Sequence, residues 1–79
     1  MYGDPMTNTL DDEGLKATEL AVLEFLKVNE SITNRKLRQI TNVNYDQAIF
    51  FFNRMIEKGV LNRIGVASGT HYTLATSKS

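Results

Sequence analysis

One stretch of the chain, residues 44–59, reads NYDQAIFFFNRMIEKG and predicts a helix with a marked start and a marked end. Asn44 is a preferred N-cap residue, and Gln47, three positions later, can complete a capping box with it. Gly59 suits the left-handed conformation that commonly follows the last turn of a helix. We therefore predict a helix that begins at the Asn44 cap and ends at Lys58.

The side chains of this helix divide into two faces when they are placed at about 100° per residue. The face predicted to pack on a core contains Tyr45, Ala48, Phe52, Met55 and Ile56. The opposite face contains Asp46, Gln47, Phe50, Asn53, Arg54 and Glu57, with Ile49 and Phe51 at the edges. What the chain does then depends on what this outer face contacts.

The sequence before this stretch predicts two further helices. Acidic residues 11–13 mark the start of a first helix, Glu13–Val28, whose apolar residues form two stripes and indicate burial on more than one side. Thr33 is a suitable cap for a second helix, Asn34–Thr41, and a tight connection then leads into the long helix. Ile32, between the first two helices, is a possible short strand.

After Gly59, the spacing of apolar residues changes from the period of a helix to the period of two that is typical of a strand. Val60–Ile64 and Thr70–Leu74 are predicted strands, joined by a loop with a glycine at each end. Two helices joined by a short turn form a helix-turn-helix, and the hairpin that follows would be its wing. We expect an α+β winged helix-turn-helix domain over residues 13–75, with a disordered lead at 1–12 and a tail at 76–79.

Length and composition exclude several classes of protein. The chain has 79 residues, no cysteine and no apolar run long enough to span a membrane, so we expect one small cytoplasmic domain without disulfides. The formal charge is zero overall, but residues 1–30 carry seven acidic and two basic residues, and residues 31–79 carry seven basic and two acidic ones. This asymmetry suggests an anionic partner for the C-terminal part, although a domain with an acidic first helix would show it too.

A family resemblance rests on the spacing of a few residues. They are Ile32-Thr33-Asn34-x-x-Leu37-x-x-Ile40-Thr41, then Ala48, Met55, Gly59, Leu61, Gly65, Gly69-Thr70 and Tyr72. This pattern resembles bacterial winged helix-turn-helix domains, and in particular the C-terminal domain of RecG-related ATP-dependent helicase or transcriptional-regulator proteins. The resemblance covers about residues 15–75 and implies DNA binding, transcription regulation and an ATP-binding domain upstream. This chain itself contains no phosphate-binding GxxxxGK[ST] motif.

Enzyme chemistry has little support in the sequence. His71 is the single histidine and alternates with Tyr72 on a predicted strand, so a solvent-facing wing position is expected rather than a catalytic or metal-binding one. Asp11, Asp12 and Glu13 could suggest a metal site, but they also complement the dipole at a helix start. We expect no enzyme activity from this domain, and no cofactor or metal.

The predicted partner is double-stranded DNA, bound weakly by the isolated domain. The side chains expected to contact phosphates are Arg35, Lys36, Arg38, Arg54, Lys58 and Arg63. Those able to form hydrogen bonds with base edges are Asn44, Gln47, Asn53 and Arg54. The expected mechanism is docking of the helix 44–58 into the major groove.

The alternative function is a protein-interaction winged helix. Phe50 is predicted on the outer face, with Phe51 beside it, and Asp46 and Glu57 on that face would repel phosphates. The two phenylalanines could support self-association or docking on the upstream ATP-binding domain. Phe50 could also contact nucleic acid, or simply be exposed without a partner.

Overall fold

The structure, a computed structural model, describes residues 9–66 and 69–75. Its elements are α1 (Asp12–Leu26), α2 (Asn34–Ile40), α3 (Tyr45–Glu57), β1 (Leu61–Ile64) and β2 (His71–Leu74). The predicted α+β layout of three helices followed by an antiparallel hairpin is confirmed, and it is compatible with a winged helix-turn-helix.

Helices α2 and α3 begin at the caps that the sequence predicted, whereas α1 begins one residue before its predicted start, with Asp11 as its cap. The side chain of Asn44 accepts a hydrogen bond from the backbone N–H of Gln47 at 2.7 Å, and the side chain of Gln47 accepts one from the N–H of Asn44 at 2.9 Å. The Thr33 hydroxyl accepts the backbone N–H of Lys36 at 3.1 Å. Each contact satisfies a donor that the first turn of a helix leaves unpaired. Gly59 has a φ of 79°, which accounts for a glycine at the end of α3.

The hairpin is tied to the helices through one additional backbone bridge. Strands β1 and β2 pair antiparallel, with Arg63 opposite Tyr72. Ile32 exchanges two backbone hydrogen bonds with Tyr72, at 2.9 and 2.8 Å, so the predicted third strand exists as a single bridge. Gly65 has a φ of 84°, and a Cβ atom there would lie 2.4 Å from the carbonyl oxygen of Gly69. The hairpin therefore requires glycine at position 65.

The core is formed by one face of α3 together with apolar residues from the other elements. The fully or almost fully buried apolar residues are Val22, Leu26, Ile32, Leu37, Ala48, Phe51, Phe52, Met55 and Leu61. Burial of Phe52 is as predicted. Other parts of the predicted faces are wrong, because Phe51 is 0% exposed and Tyr45 is 56% exposed. The buried face of α3 is thus rotated toward Phe51 and away from Tyr45.

The packing of three aromatic rings, those of Phe51, Phe52 and Tyr72, accounts for this rotation of the buried face. The Phe52 ring stacks on the Tyr72 ring, with the centroids 3.7 Å apart and the planes 4° apart. Phe51 packs edge-on against Phe52, at 5.5 Å between centroids. Helix α3 packs against β1, α2 and α1, so its buried face is wide enough to take both consecutive phenylalanines.

The boundaries of the domain differ slightly from those predicted. Residues 1–8 and 76–79 lie outside the described residues, as do Ala67 and Ser68. The predicted lead is nevertheless too long. Leu10 packs against the core, and the Gln47 side-chain amide donates a hydrogen bond to the carbonyl oxygen of Thr9 at 3.3 Å. At the other end, Leu74 is the last residue of β2 and is 39% exposed.

Truncation of Phe51 tests the corrected orientation of α3. Phe51→Ala is expected to lower the free energy of unfolding by about 3–5 kcal/mol, because it leaves a cavity in a small core. Val28→Ala should change it by less than about 0.5 kcal/mol, since Val28 is 83% exposed. Urea denaturation followed by circular dichroism measures both. If Phe51→Ala does not fold, Phe51→Leu supplies the comparison, and equal midpoints for Phe51→Leu and Val28→Ala would contradict the burial of Phe51.

The capping box gives a second stability prediction. Asn44→Ala removes the acceptor for the Gln47 N–H, and we expect a loss of about 1 kcal/mol in the free energy of unfolding. Asn42→Ala is the matched control, because Asn42 is an exposed asparagine in the turn before the cap. Its expected effect is below about 0.5 kcal/mol. Thermal denaturation of the two variants would contradict the structural role of Asn44 if the midpoints fell by the same amount.

Candidate nucleic-acid interface

An open groove of about 650 Å³ lies between α2, one flank of α3 and the hairpin. It is lined by polar, basic and aromatic side chains and by one aliphatic side chain, namely Thr33, Asn34, Arg35, Arg38, Tyr45, Ile49, Asn53, Arg63, Thr70 and Tyr72. Three of these residues are arginines, and no aspartate or glutamate is among the described residues that line the groove. The groove therefore concentrates positive charge on one side of a chain whose formal net charge is zero.

The ion pairs of the molecule lie elsewhere. In the part of the chain that the structure describes, the pairs join Lys27 to Glu24 at 3.0 Å, Arg54 to Glu57 at 3.1 Å, and Lys58 to Glu19 at 3.8 Å. None of them involves an arginine of the groove. These pairs are solvent-accessible and contribute little to stability, but they place a carboxylate beside each of the two basic residues at the end of α3.

Arg38 is held in place by two neighbours within the groove. Its Nε donates a hydrogen bond to the Asn34 side-chain oxygen at 2.7 Å, an i to i+4 contact along α2. Its guanidinium carbon lies 5.5 Å from the centre of the Tyr45 ring, within the range of a cation–π contact. The Asn34 side-chain amide also lies 3.5 Å from the Tyr45 carbonyl oxygen, which links α2 to the first turn of α3.

Tyr72 lines one side of the groove, next to Arg63 of the hairpin. Burial raises the pKa of Tyr72 above its ordinary value of 10.0, and the positive charge of the neighbouring Arg63 opposes that rise. The Tyr72 hydroxyl is thus protonated at neutral pH and adds no negative charge to the groove. Its ring is fixed by stacking on Phe52, so the side of the groove that Tyr72 forms is rigid.

The structure brings together four of the residues predicted to contact DNA. Arg35, Arg38, Asn53 and Arg63 all line the groove. They come from α2, α3 and β1, and only the fold places them at one site. Sequence reasoning missed Asn34, although its spacing of four residues from Arg38 on one helix was a usable signal.

The other predicted DNA contacts lie away from this groove. Lys36 lies with its Nζ 6.0 Å from the centre of the Phe25 ring, and Arg54 and Lys58 are paired as described above. The side chains of Asn44 and Gln47 form the capping box of α3. Their hydrogen-bonding atoms stabilise the helix end, which leaves Asn53 as the predicted base-contacting residue that lines the groove.

The apolar surface patch that was predicted around Phe50 and Phe51 is not present as expected. Phe51 was named as a protein-contact residue, and this is wrong because its side chain is completely buried. Phe50 was expected to be exposed, but it is partly buried. The outer face of α3 also carries Asp46 and Glu57, both exposed. This face is therefore less cationic than the groove beside it.

The described residues contain neither a metal-binding cluster nor a membrane-spanning helix. Within residues 9–66 and 69–75, no cluster of three or more histidine, cysteine, aspartate or glutamate side chains could hold a metal ion. Over the same ranges, no helix has the length and hydropathy needed to cross a membrane. The Nδ1 atom of His71 lies 2.9 Å from the Gly69 carbonyl oxygen, so His71 helps to fix the end of the hairpin loop.

Comparison with known proteins identifies neither a family nor a function for this chain. No protein-family model, no curated protein and no solved structure matches the chain. The resemblance to RecG-related proteins therefore stays a prediction, and the functional argument rests on the groove.

Proposed function

We propose that this domain binds double-stranded DNA, and that the groove between α2, α3 and the hairpin contacts the sugar–phosphate backbone. The observation that supports the proposal is the convergence of Arg35, Arg38 and Arg63 on one open groove whose described lining contains no carboxylate. Arginine presents several N–H donors in a planar arrangement that matches the oxygens of a phosphate. Three such side chains on one surface favour an extended anion over a single small one.

The position of α3 in the proposed complex follows from the distribution of charge around it. Asp46 and Glu57 are exposed on the outer face of α3, and Glu57 neutralises Arg54 there. A duplex that approached this face directly would bring its phosphates close to both carboxylates. We therefore place the duplex on the flank of α3 that carries Asn53, with the hairpin on the other side of the groove.

Contacts of this kind bind DNA with little preference for sequence. Most would be made to phosphates, which fix the orientation of a protein on a duplex but carry no base information. Asn53 is the groove residue of α3 with an amide that could reach a base edge. The proposal assigns binding rather than catalysis to this domain, in a cytoplasmic helicase-related or regulatory protein.

The alternative, a protein-interaction role, has less support than DNA binding at the groove. It centred on Phe50 with Phe51 beside it, but Phe51 is buried in the core and Phe50 is partly buried. Docking on an upstream ATP-binding domain remains a prediction, but no described surface now favours it over DNA. We therefore retain DNA binding as the proposed function.

A pair of single substitutions tests where DNA binds. We expect Arg63→Ala to weaken binding to a fluorescently labelled duplex of about 20 base pairs by roughly tenfold, because a phosphate contact is lost. Arg54→Ala is the matched control, since it removes the same side chain from a site where Glu57 already pairs with it. Its expected effect is less than about twofold. Fluorescence anisotropy at several salt concentrations measures both affinities.

The salt dependence gives a quantitative check on the same titrations. Three arginine–phosphate contacts predict a slope of log K against log salt of about −3, and Arg63→Ala should bring it to about −2. A wild-type chain that does not bind at roughly 50 mM salt, where exposed charges are only weakly screened, would remove the proposed function. Equal losses for Arg63→Ala and Arg54→Ala would contradict the groove as the binding site.

A further inference from the structure

We propose that Arg38 is the phosphate-anchoring residue of the groove, and that Asn34 and Tyr45 are positioning residues that hold its guanidinium ready for the phosphate. This inference rests on the proposed function and deepens it, because it ranks the three arginines. It predicts that the shape and fixed orientation of Arg38 matter, and not only its charge.

The geometry leaves the binding end of Arg38 available. The Nε–H group is used by the Asn34 side-chain oxygen at 2.7 Å, so the two terminal amino groups of the guanidinium remain to face a ligand. Tyr45 lies against the guanidinium at 5.5 Å and restricts its rotation. Tyr45 is itself 56% exposed, so the assembly is at the surface, where a phosphate can approach it.

The Asn34 side chain is oriented by both of its polar atoms. Its oxygen accepts from Arg38, and its amide nitrogen lies 3.5 Å from the Tyr45 carbonyl oxygen at the start of α3. The position of the Arg38 guanidinium is thus coupled to the packing of α2 on α3. Much of the rotational entropy that a long side chain loses on binding a phosphate is lost here when the domain folds.

The other two arginines of the groove lack this arrangement. Within residues 9–66 and 69–75, the Arg35 side chain has no hydrogen bond or ion pair, and it lies one turn before Arg38 on the same helix. Arg63 forms a side-chain hydrogen bond with the Tyr72 hydroxyl on the paired strand, but within the described residues no aromatic ring lies over its guanidinium as Tyr45 does at Arg38. Arg35 is therefore a matched control for Arg38, with the same chemistry, helix and groove.

Lysine substitutions separate orientation from charge. Arg38→Lys keeps the positive charge but loses the Nε–H contact with Asn34 and the planar group that rests on Tyr45. We expect Arg38→Lys to weaken binding to the labelled duplex by about tenfold and Arg35→Lys by only about twofold, because Arg35 loses its planar group but has no fixed orientation to lose. The slope of log K against log salt should be the same for both variants and the wild type, because the number of charges is unchanged.

A double-mutant cycle tests the role of Asn34. Asn34→Ala should weaken binding about fivefold in the wild-type background and should have no effect when Arg38 is already alanine. In the Arg35→Ala background, the full fivefold loss is expected, because Asn34 does not act through Arg35. Thermal denaturation of each variant identifies any loss of DNA affinity that comes from unfolding. The affinities of the variants and the wild type are then compared at a temperature where all of them are folded.

The outcomes distinguish this inference from the proposed function. Equal effects of Arg38→Lys and Arg35→Lys on a chain that binds DNA would overturn the ranking of Arg38 and leave the proposed function intact. A fivefold loss from Asn34→Ala that persists in the Arg38→Ala background would overturn the positioning role of Asn34. A wild-type chain without DNA affinity would overturn both proposals together.

Discussion

The stack of Phe52 on Tyr72 is the contact on which the rest of this small domain depends. It brings a ring from α3 and a ring from β2 to 3.7 Å between centroids. Tyr72 also pairs with Ile32 through two backbone hydrogen bonds, so the hairpin, α3 and the segment before α2 are joined at one residue. Aromatic pairs contribute through the large apolar area they bury and through the geometry of their rings. Because the same tyrosine forms one side of the groove, the contact that stabilises the fold also positions Arg63 relative to α2.

Charge is arranged around this framework so that one groove is cationic in a chain with no net charge. The two basic residues near the end of α3 have carboxylate partners, Glu57 for Arg54 and Glu19 for Lys58. The arginines of α2 and β1 have no carboxylate partner within the described part of the chain. An anion gains most where it meets positive charges that are not already neutralised. The uneven distribution of charge along the sequence thus produces a cationic groove on the surface, although the net charge of the chain is zero.

The sequence was sufficient for the elements and their approximate ends, but only partly for the site. Asn44, Gln47, Thr33 and Gly59 act through local backbone geometry, and all four were predicted in the roles that the structure shows. The buried face of α3 was less predictable, because three consecutive phenylalanines fit more than one rotation of the helix. Which rotation occurs depends on Tyr72 and the other elements that pack on α3. The groove likewise depends on tertiary packing, since Arg38 and Arg63 lie on different elements that are far apart in the sequence.

We propose that nucleic acid contacts the groove beside α3 and not the middle of its outer face. The most direct test is to record ¹H–¹⁵N NMR spectra of the chain during titration with duplex DNA at roughly 50 mM salt, where phosphate contacts are weakly screened. We expect amide shift changes to concentrate at residues 34–38, at Ile49 and Asn53, and at Arg63 and Thr70. Changes concentrated at Asp46, Phe50 and Glu57, or no changes at all, would contradict it.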